Sequence, residues 1–91
     1  MNRCLKMVIN IDKWDAHWSD EIQEKAKKLG IEGVMQALDQ HQMRIMICGK
    51  DALLDEFIDY LYDFFTDINV HVQELEPFIK ERDYRGIFRV I

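Results

Sequence analysis

The stretch KDALLDEFIDYLY, residues 50–62, decides the fold that this sequence predicts. Its apolar residues recur at the spacing of one broad helical stripe: Leu53, Leu54, Phe57, Ile58 and Leu61. Acidic residues take the opposite side, and the first of them, Asp51, is placed to cap the helix N-terminus. A helix with one apolar side needs a sheet to cover, and strand-like runs stand before and after it.

The rest of the chain supplies those strands and one further helix. Residues 4–11 alternate in polarity, which predicts a first strand whose inward face carries Leu5, Met7, Ile9 and Ile11. Ser19 is the predicted N-cap of a helix that runs to Leu29, where Gly30 supplies the left-handed end. Further strands are predicted over residues 33–39, 43–48, 68–75 and 86–91, with Phe88 and Val90 inward in the last.

This order of elements predicts an α+β fold. Strand, helix, strand, strand, helix and strand, followed by a short fifth strand, is the ferredoxin-like, split β-α-β arrangement. In that arrangement both helices lie on one face of an antiparallel sheet. Since 91 residues can build one core and no linker interrupts them, we expect a single domain over residues 1–91.

Composition and charge exclude several kinds of partner. The chain has 17 acidic and 12 basic side chains, a formal net charge of -5, which disfavours nucleic acid. It contains no apolar run of membrane-spanning length and no pattern of a signal peptide, so we expect no membrane partner and a cytoplasmic location. No residue spacing points to a cofactor or to a metal ion, and we expect neither.

Four segments together resemble the scaffold of the acylphosphatases. They are AKKLGIEG at residues 26–33, RIMICGK at 44–50, LDEFIDYL at 54–61 and IFRVI at 87–91. The resemblance implies an enzyme that hydrolyses carboxyl-phosphate anhydrides. In that family a loop of the form G-x-V-Q-G-V-x-F-R holds the phosphate with backbone amides and its arginine, and an asparagine positions the attacking water.

The corresponding positions of this chain carry other residues. The phosphate loop falls on residues 11–19, which include Asp12, Lys13, Asp15 and Ala16. Ser19 stands at the arginine position and Ala37 at the asparagine position. The glycines that let a backbone curl around an anion are absent, and the carboxylates of Asp12 and Asp15 put negative charge where the anion would sit. Because losing one transition-state donor lowers the rate by about two to three orders of magnitude, we expect no useful acylphosphatase activity.

All of these departures fall at one pole of the predicted sheet, where the connections at residues 12–18, 40–42 and 64–67 meet. Seven aromatic, imidazole or large apolar residues of that pole are candidates for binding a partner: Trp14, His17, Trp18, His41, Phe64, Phe65 and Ile68. Exposed aromatic clusters with an acidic rim are typical of protein interfaces. The sequence therefore predicts a non-catalytic module, natural or engineered, that binds another protein through residues 12–18, 40–42 and 64–68. The alternative is an acylphosphatase with weak or lost activity.

Three other interpretations of this pole stay open. Trp18 and one of Phe64 and Phe65 are equally compatible with the core, whereas Trp14 is expected to be exposed. A Ser-His-Asp hydrolytic site and a zinc site are conceivable, but nothing in the spacing favours them. Their candidate residues are Asp12, Asp15, His17, Ser19 and His41.

The two cysteines are predicted neighbours. Cys4 and Cys48 lie on antiparallel strands and on the face away from the helices, within reach of a disulfide. In a reducing cytoplasm we expect thiols, and air oxidation after purification can join them.

Overall fold

The computed structural model describes residues 2–77 and 85–91. The described residues form these elements: β1 (Asn2–Asn10), α1 (Ala16–Leu29), β2 (Glu32–Ala37), β3 (Gln42–Lys50), α2 (Asp51–Asp67), β4 (His71–Pro77) and β5 (Phe88–Val90). The boundaries differ by a few residues from those predicted. Most of the connection predicted over residues 78–85 lies outside the described residues.

The strands form one sheet in the order β4-β1-β3-β2-β5, and α1 and α2 pack on it. β1 pairs antiparallel with β3 and β4, and β2 pairs antiparallel with β3. This confirms the α+β, ferredoxin-like fold. The fifth strand departs from the antiparallel prediction, because β5 runs parallel to β2 and makes the sheet mixed. β4 ends at the pole of the sheet where β2 begins. A following strand that begins at this pole, beside β2, therefore runs parallel to β2.

The core lies between the sheet and the helices. Its buried residues include Met7, Ile9, Ile22, Ala26, Ile45, Ile47, Leu54, Phe57, Leu61 and Phe88. Those of β1, α2 and β5 were predicted to point inward. Burying one such aliphatic or aromatic side chain stabilises the fold by about 1.5–3 kcal/mol. Two predicted core positions are wrong: Leu53 and Val90 are each 36% exposed, because they stand at the margins of α2 and of the sheet.

Both helices begin differently from the prediction. Asp15, and not Ser19, caps α1, because its carboxylate accepts the backbone N–H of His17 at 2.9 Å. α2 begins at Asp51 itself, after Lys50, which makes no capping bond through its side chain. The Asp51 carboxylate instead lies 3.5 Å from Nε of Arg3 on β1.

α2 is longer than the stretch that predicted it. It continues to Asp67, so residues 64–67, predicted as a loop, form its last turn. The apolar stripe continues with it, since Phe65 follows Leu61 by four residues and both are buried. In the described ranges no helix combines the length and the apolar character that crossing a membrane requires.

The two cysteines meet as the strand pairing predicts. Cys4 and Cys48 are direct partners in the ladder between β1 and β3. They form a disulfide that closes a sequence separation of 44 residues.

Candidate functional site

Three loops meet at one pole of the sheet: residues 11–15, 38–41 and 68–70, together the loop pole. The backbone N–H of Ile11 donates to the carbonyl of His41 at 2.7 Å. Nδ1 of His41 lies 3.3 Å from Oδ1 of Asp12. The prediction that three connections share this pole is confirmed, although the third loop begins at residue 68, after the end of α2.

The loop between β2 and β3 is held by its own hydrogen bonds. Oδ1 of Asp39 accepts the backbone N–H of His41 at 2.7 Å, the local bond by which aspartate favours turns. The N–H of Leu38 donates to the carbonyl of Gln42 at 2.9 Å and closes the hairpin. These bonds hold the loop backbone and the Asp39 carboxylate in place.

A cleft of about 240 Å³ opens between this loop, the start of α1 and β5. We call it the acidic cleft, and its lining includes Ile11, Asp12, Trp14, Ser19, Ala37, Asp39, Met43 and Val90. Ser19 and Ala37, which correspond to the arginine and asparagine of the family resemblance, therefore lie at one cavity. Among the described residues that line it, the charged side chains are Asp12 and Asp39, both carboxylates.

Ser19 has a structural role at the base of this cleft. The indole N–H of Trp14 donates to its Oγ at 2.6 Å, and Ser19 is only 9% exposed. The described partner of the hydroxyl is thus an indole and not a histidine. The arrangement gives no support to a Ser-His-Asp site, because in the described part of the chain no base is bonded to the oxygen that would attack.

A second cavity of about 510 Å³ adjoins the first. We call it the groove, and it is lined by Asn10, Ile11, Asp12, Lys13, Trp18, His41, Ile68, Asn69, Val70 and His71. Its half-buried apolar residues are Ile11, Trp18, Ile68 and Val70, and its polar ones are exposed. Ile11 and Asp12 line both cavities, so the groove and the acidic cleft share a wall.

The two tryptophans stand on either side of the wall that the groove and the acidic cleft share. Their rings meet edge to face, with centroids 5.3 Å apart and planes at 80°. Trp18 lines the groove and Trp14 lines the acidic cleft. An edge-to-face pair of this kind contributes about 0.5–1.5 kcal/mol beyond the burial of its rings.

The prediction of an exposed aromatic patch at this pole is wrong in part. Phe65 is 1% exposed and belongs to the core, which agrees with the alternative that placed one of the two phenylalanines there. Trp14, expected to be exposed, is half-buried and packs against the core. Trp18, Phe64 and Ile68 are half-buried as well. For Phe64 and Phe65 the reason is that α2 continues to Asp67 and carries both phenylalanines onto the helix.

The remaining candidate residues are exposed but not equally placed. His41 and Lys13 line the groove, whereas His17 and Ala16 stand on the first turn of α1 and line neither cavity. Asp15 serves as the cap of that helix. Within the ranges that the structure describes, no group of three or more His, Cys, Asp or Glu side chains is placed to hold a metal ion.

Several lining residues were missed by sequence reasoning. Asn69, Val70 and His71 belong to the groove, and Asp39, Met43 and Val90 belong to the acidic cleft. The signal for His71 is topological, since the first residue of β4 pairs with Asn10, the last residue of β1, and so reaches the same pole. Asp39 precedes the predicted turn at residues 40–42, a position typical of a turn residue.

Tyr60 lies outside both cavities, on the surface of α2. Its ring stacks on Phe57, with centroids 6.0 Å apart, and contacts Phe64 at 5.9 Å. Burial raises the pKa of its phenol above the ordinary value, and the nearby carboxylates of Glu21 and Glu24 raise it further.

Comparison with known proteins supports the fold. No protein-family model matches the chain, and neither does any curated protein sequence. Among solved structures, an acylphosphatase from Coxiella burnetii is similar with a TM-score of 0.73 at 16% identity, over 99% of this chain and 93% of that one. An acylphosphatase from Bacillus subtilis gives a TM-score of 0.71 at 14% identity, over 100% and 99% of the two chains. At these identities the likeness extends to the fold alone: the chain has an acylphosphatase-like scaffold.

Proposed function

We propose that this chain is a non-catalytic binding module, which takes another protein at the loop pole of an acylphosphatase-like scaffold. One observation carries the proposal. Ser19 and Ala37 line a cleft whose charged side chains are the carboxylates of Asp12 and Asp39. The groove, which has half-buried apolar residues, adjoins this cleft. The proposal holds for a natural and for an engineered chain alike, and we keep the cytoplasm as its expected location.

The charges of the acidic cleft argue against an anionic substrate. A phosphate needs converging N–H donors and a fixed cation, as a guanidinium provides. Here Asp12 and Asp39 would repel it, and Ser19 already accepts the indole N–H of Trp14. The alternative, a weak acylphosphatase, is favoured by the scaffold likeness alone, and a shared fold does not imply a shared reaction.

The groove has the properties that a protein partner requires. Ile11, Trp18, Ile68 and Val70 offer half-buried apolar area, and tryptophan at the centre of an interface is a frequent hot spot. Exposed polar residues surround them, among them His41 and His71. An apolar centre with a polar rim is the usual anatomy of a protein interface.

A peptide selection tests the proposal. Peptides selected from a displayed library against the intact chain are expected to bind in the groove. Their affinity, measured by calorimetry, should fall about tenfold or more in Ile68→Ala and in His71→Ala, since each substitution removes a side chain that lines the groove.

The matched control is Leu53→Ala. Leu53 is exposed near the start of α2, at the opposite pole, so its removal should change the affinity less than about twofold. Melting curves of all three variants separate lost contacts from lost folding. Peptides that bind the groove variants as tightly as the unchanged chain would contradict the proposal.

A further inference from the structure

We propose that the acidic cleft receives one basic side chain, lysine or arginine, from the partner that docks in the groove. The inference rests on the proposed function and adds the chemical class of the residue that is recognised. Its two observations are the shape of the cleft and the sign of its charges.

The cleft has the size of a side chain. Its volume is about 240 Å³, below the range of about 300–1,000 Å³ that is usual for pockets of small molecules. It shares a wall with the groove, since Ile11 and Asp12 line both cavities. A peptide that lies in the groove can therefore extend one side chain into the cleft.

The walls of the cleft match the two parts of a basic side chain. Ile11, Trp14 and Met43 give an apolar wall, against which the methylene stem of lysine or arginine can pack. Asp12 and Asp39 are exposed, so their carboxylates stand on the solvent side, where the charged head would lie. A cation near an indole ring gains additional electrostatic attraction.

Both carboxylates can still accept a further bond. Asp12 faces the His41 imidazole and Asp39 accepts the His41 backbone N–H, and each contact uses Oδ1. A carboxylate has a second oxygen with its own lone pairs, so Oδ2 of each is suited to an ammonium or guanidinium. The net charge of -5 attracts the same kind of partner at longer range.

A titration with small amides tests the cleft by itself. The probes are N-acetyl-lysine methylamide and its uncharged counterpart N-acetyl-norleucine methylamide, and the readout is the NMR signal of the Trp14 indole N–H. The lysine amide should bind about three- to tenfold more tightly than the norleucine amide, because exposed ion pairs and cation–aromatic contacts are each modest. In the double variant Asp12→Asn, Asp39→Asn that preference should vanish.

The double variant Glu56→Gln, Asp59→Asn is the matched control. It removes the same charge from the exposed side of α2 and should keep the preference. Asparagine at residue 39 still accepts the His41 N–H, so the loop is preserved. Equal binding of the two amides, loss of the preference in the control, or a larger shift of the Trp14 signal by inorganic phosphate would overturn the inference.

The selected peptides separate this inference from the proposed function. Enrichment of lysine or arginine at one position of groove-binding peptides supports both. Groove-binding peptides without that enrichment would overturn the inference and leave the proposed function intact. Peptides that bind elsewhere would overturn the proposed function, whatever the amides show.

Discussion

Gly33 is the residue at which adding a side-chain carbon atom should destabilise the fold most. Its φ is 151°, and a Cβ built there lies 1.9 Å from the carbonyl oxygen of Met46 on the neighbouring strand. We predict that Gly33→Ala lowers the free energy of unfolding by at least about 3 kcal/mol, since strand backbone must move. Urea denaturation measures this loss.

Gly30 provides the control for that substitution. It also has a positive φ, 67°, but a Cβ there meets nothing within 4 Å. Gly30→Ala should therefore lower the free energy of unfolding by only about 1 kcal/mol. Equal losses in the two variants would contradict the close approach of β2 and β3 at Gly33.

Tyr60 should make the stability of the fold depend on pH. Its phenol has a pKa above the ordinary value of 10.0 in the folded chain, first because of burial and then because of Glu21 and Glu24. Once the pH passes the ordinary value, the unfolded chain loses this proton before the folded chain does. The stabilisation that is complete below that pH is then lost as the pH rises.

The melting temperature of the unchanged chain should therefore fall as the pH rises above about 10, and more steeply than that of Tyr60→Phe. Calorimetry over this pH range measures both slopes, with Tyr62→Phe, at an exposed position of the same helix, as the control. Identical slopes in all three proteins would refute the raised pKa of Tyr60.

At the scale of elements, the sequence alone does not decide which residue caps the N-terminus of α1. Asp15 and Ser19 are both favourable N-cap residues. The structure assigns the cap to Asp15, which accepts the N–H of His17. Ser19 lies within α1, and its hydroxyl accepts the indole N–H of Trp14 at 2.6 Å. That bond depends on how Trp14 packs against the core, which local propensity does not contain.

The cap can be tested by substitution. Asp15→Ala should lower the free energy of unfolding by about 1 kcal/mol, because the N–H of His17 loses its acceptor. Asp15→Asn keeps an acceptor oxygen and should change stability by a few tenths of a kcal/mol at most. If Asp15→Ala is as stable as the unchanged chain in denaturant titrations, α1 does not depend on this cap.

The end of α2 was predictable in part. The apolar stripe of residues 50–62 gives the type and buried side of the helix, and its spacing extends to Phe65. A connection was predicted at residues 64–67, but the helical periodicity continues through them. Burial of Phe65 follows from that extra turn, so a ring that seemed available to a partner belongs to the core.

At the scale of the whole molecule, the disulfide is the main covalent constraint. Cys4 and Cys48 close a sequence separation of 44 residues across β1 and β3. Because the bond restricts the unfolded chain, its reduction should lower the free energy of unfolding by about 2–4 kcal/mol. Denaturation with and without dithiothreitol measures this.

The double variant Cys4→Ser, Cys48→Ser serves as the control for the reductant. It should be insensitive to dithiothreitol and as stable as the reduced chain, within about 1 kcal/mol. A purified chain whose stability does not change on reduction would show that the bond contributes nothing to the fold.

The candidate site was predictable in its location more than in its surface. Strand order places the loops near residues 12, 40 and 68 at one pole, and correspondence with the family places Ser19 and Ala37 at one cavity. The sequence did not reveal that Trp14 donates to Ser19 or that His71 reaches the groove. The first depends on side-chain orientation and the second on pairing between residues far apart in the sequence, and periodicity encodes neither.

Hydrolysis of benzoyl phosphate tests the central claim, an acylphosphatase-like scaffold without a phosphate site, most directly. The unchanged chain should show no useful turnover, since Ser19 and Ala37 replace both family side chains and losing even one transition-state donor lowers the rate by about 10²–10³. The double variant Ser19→Arg, Ala37→Asn reports whether the two family groups alone restore turnover. Robust hydrolysis by the unchanged chain, inhibited by inorganic phosphate, would contradict the account.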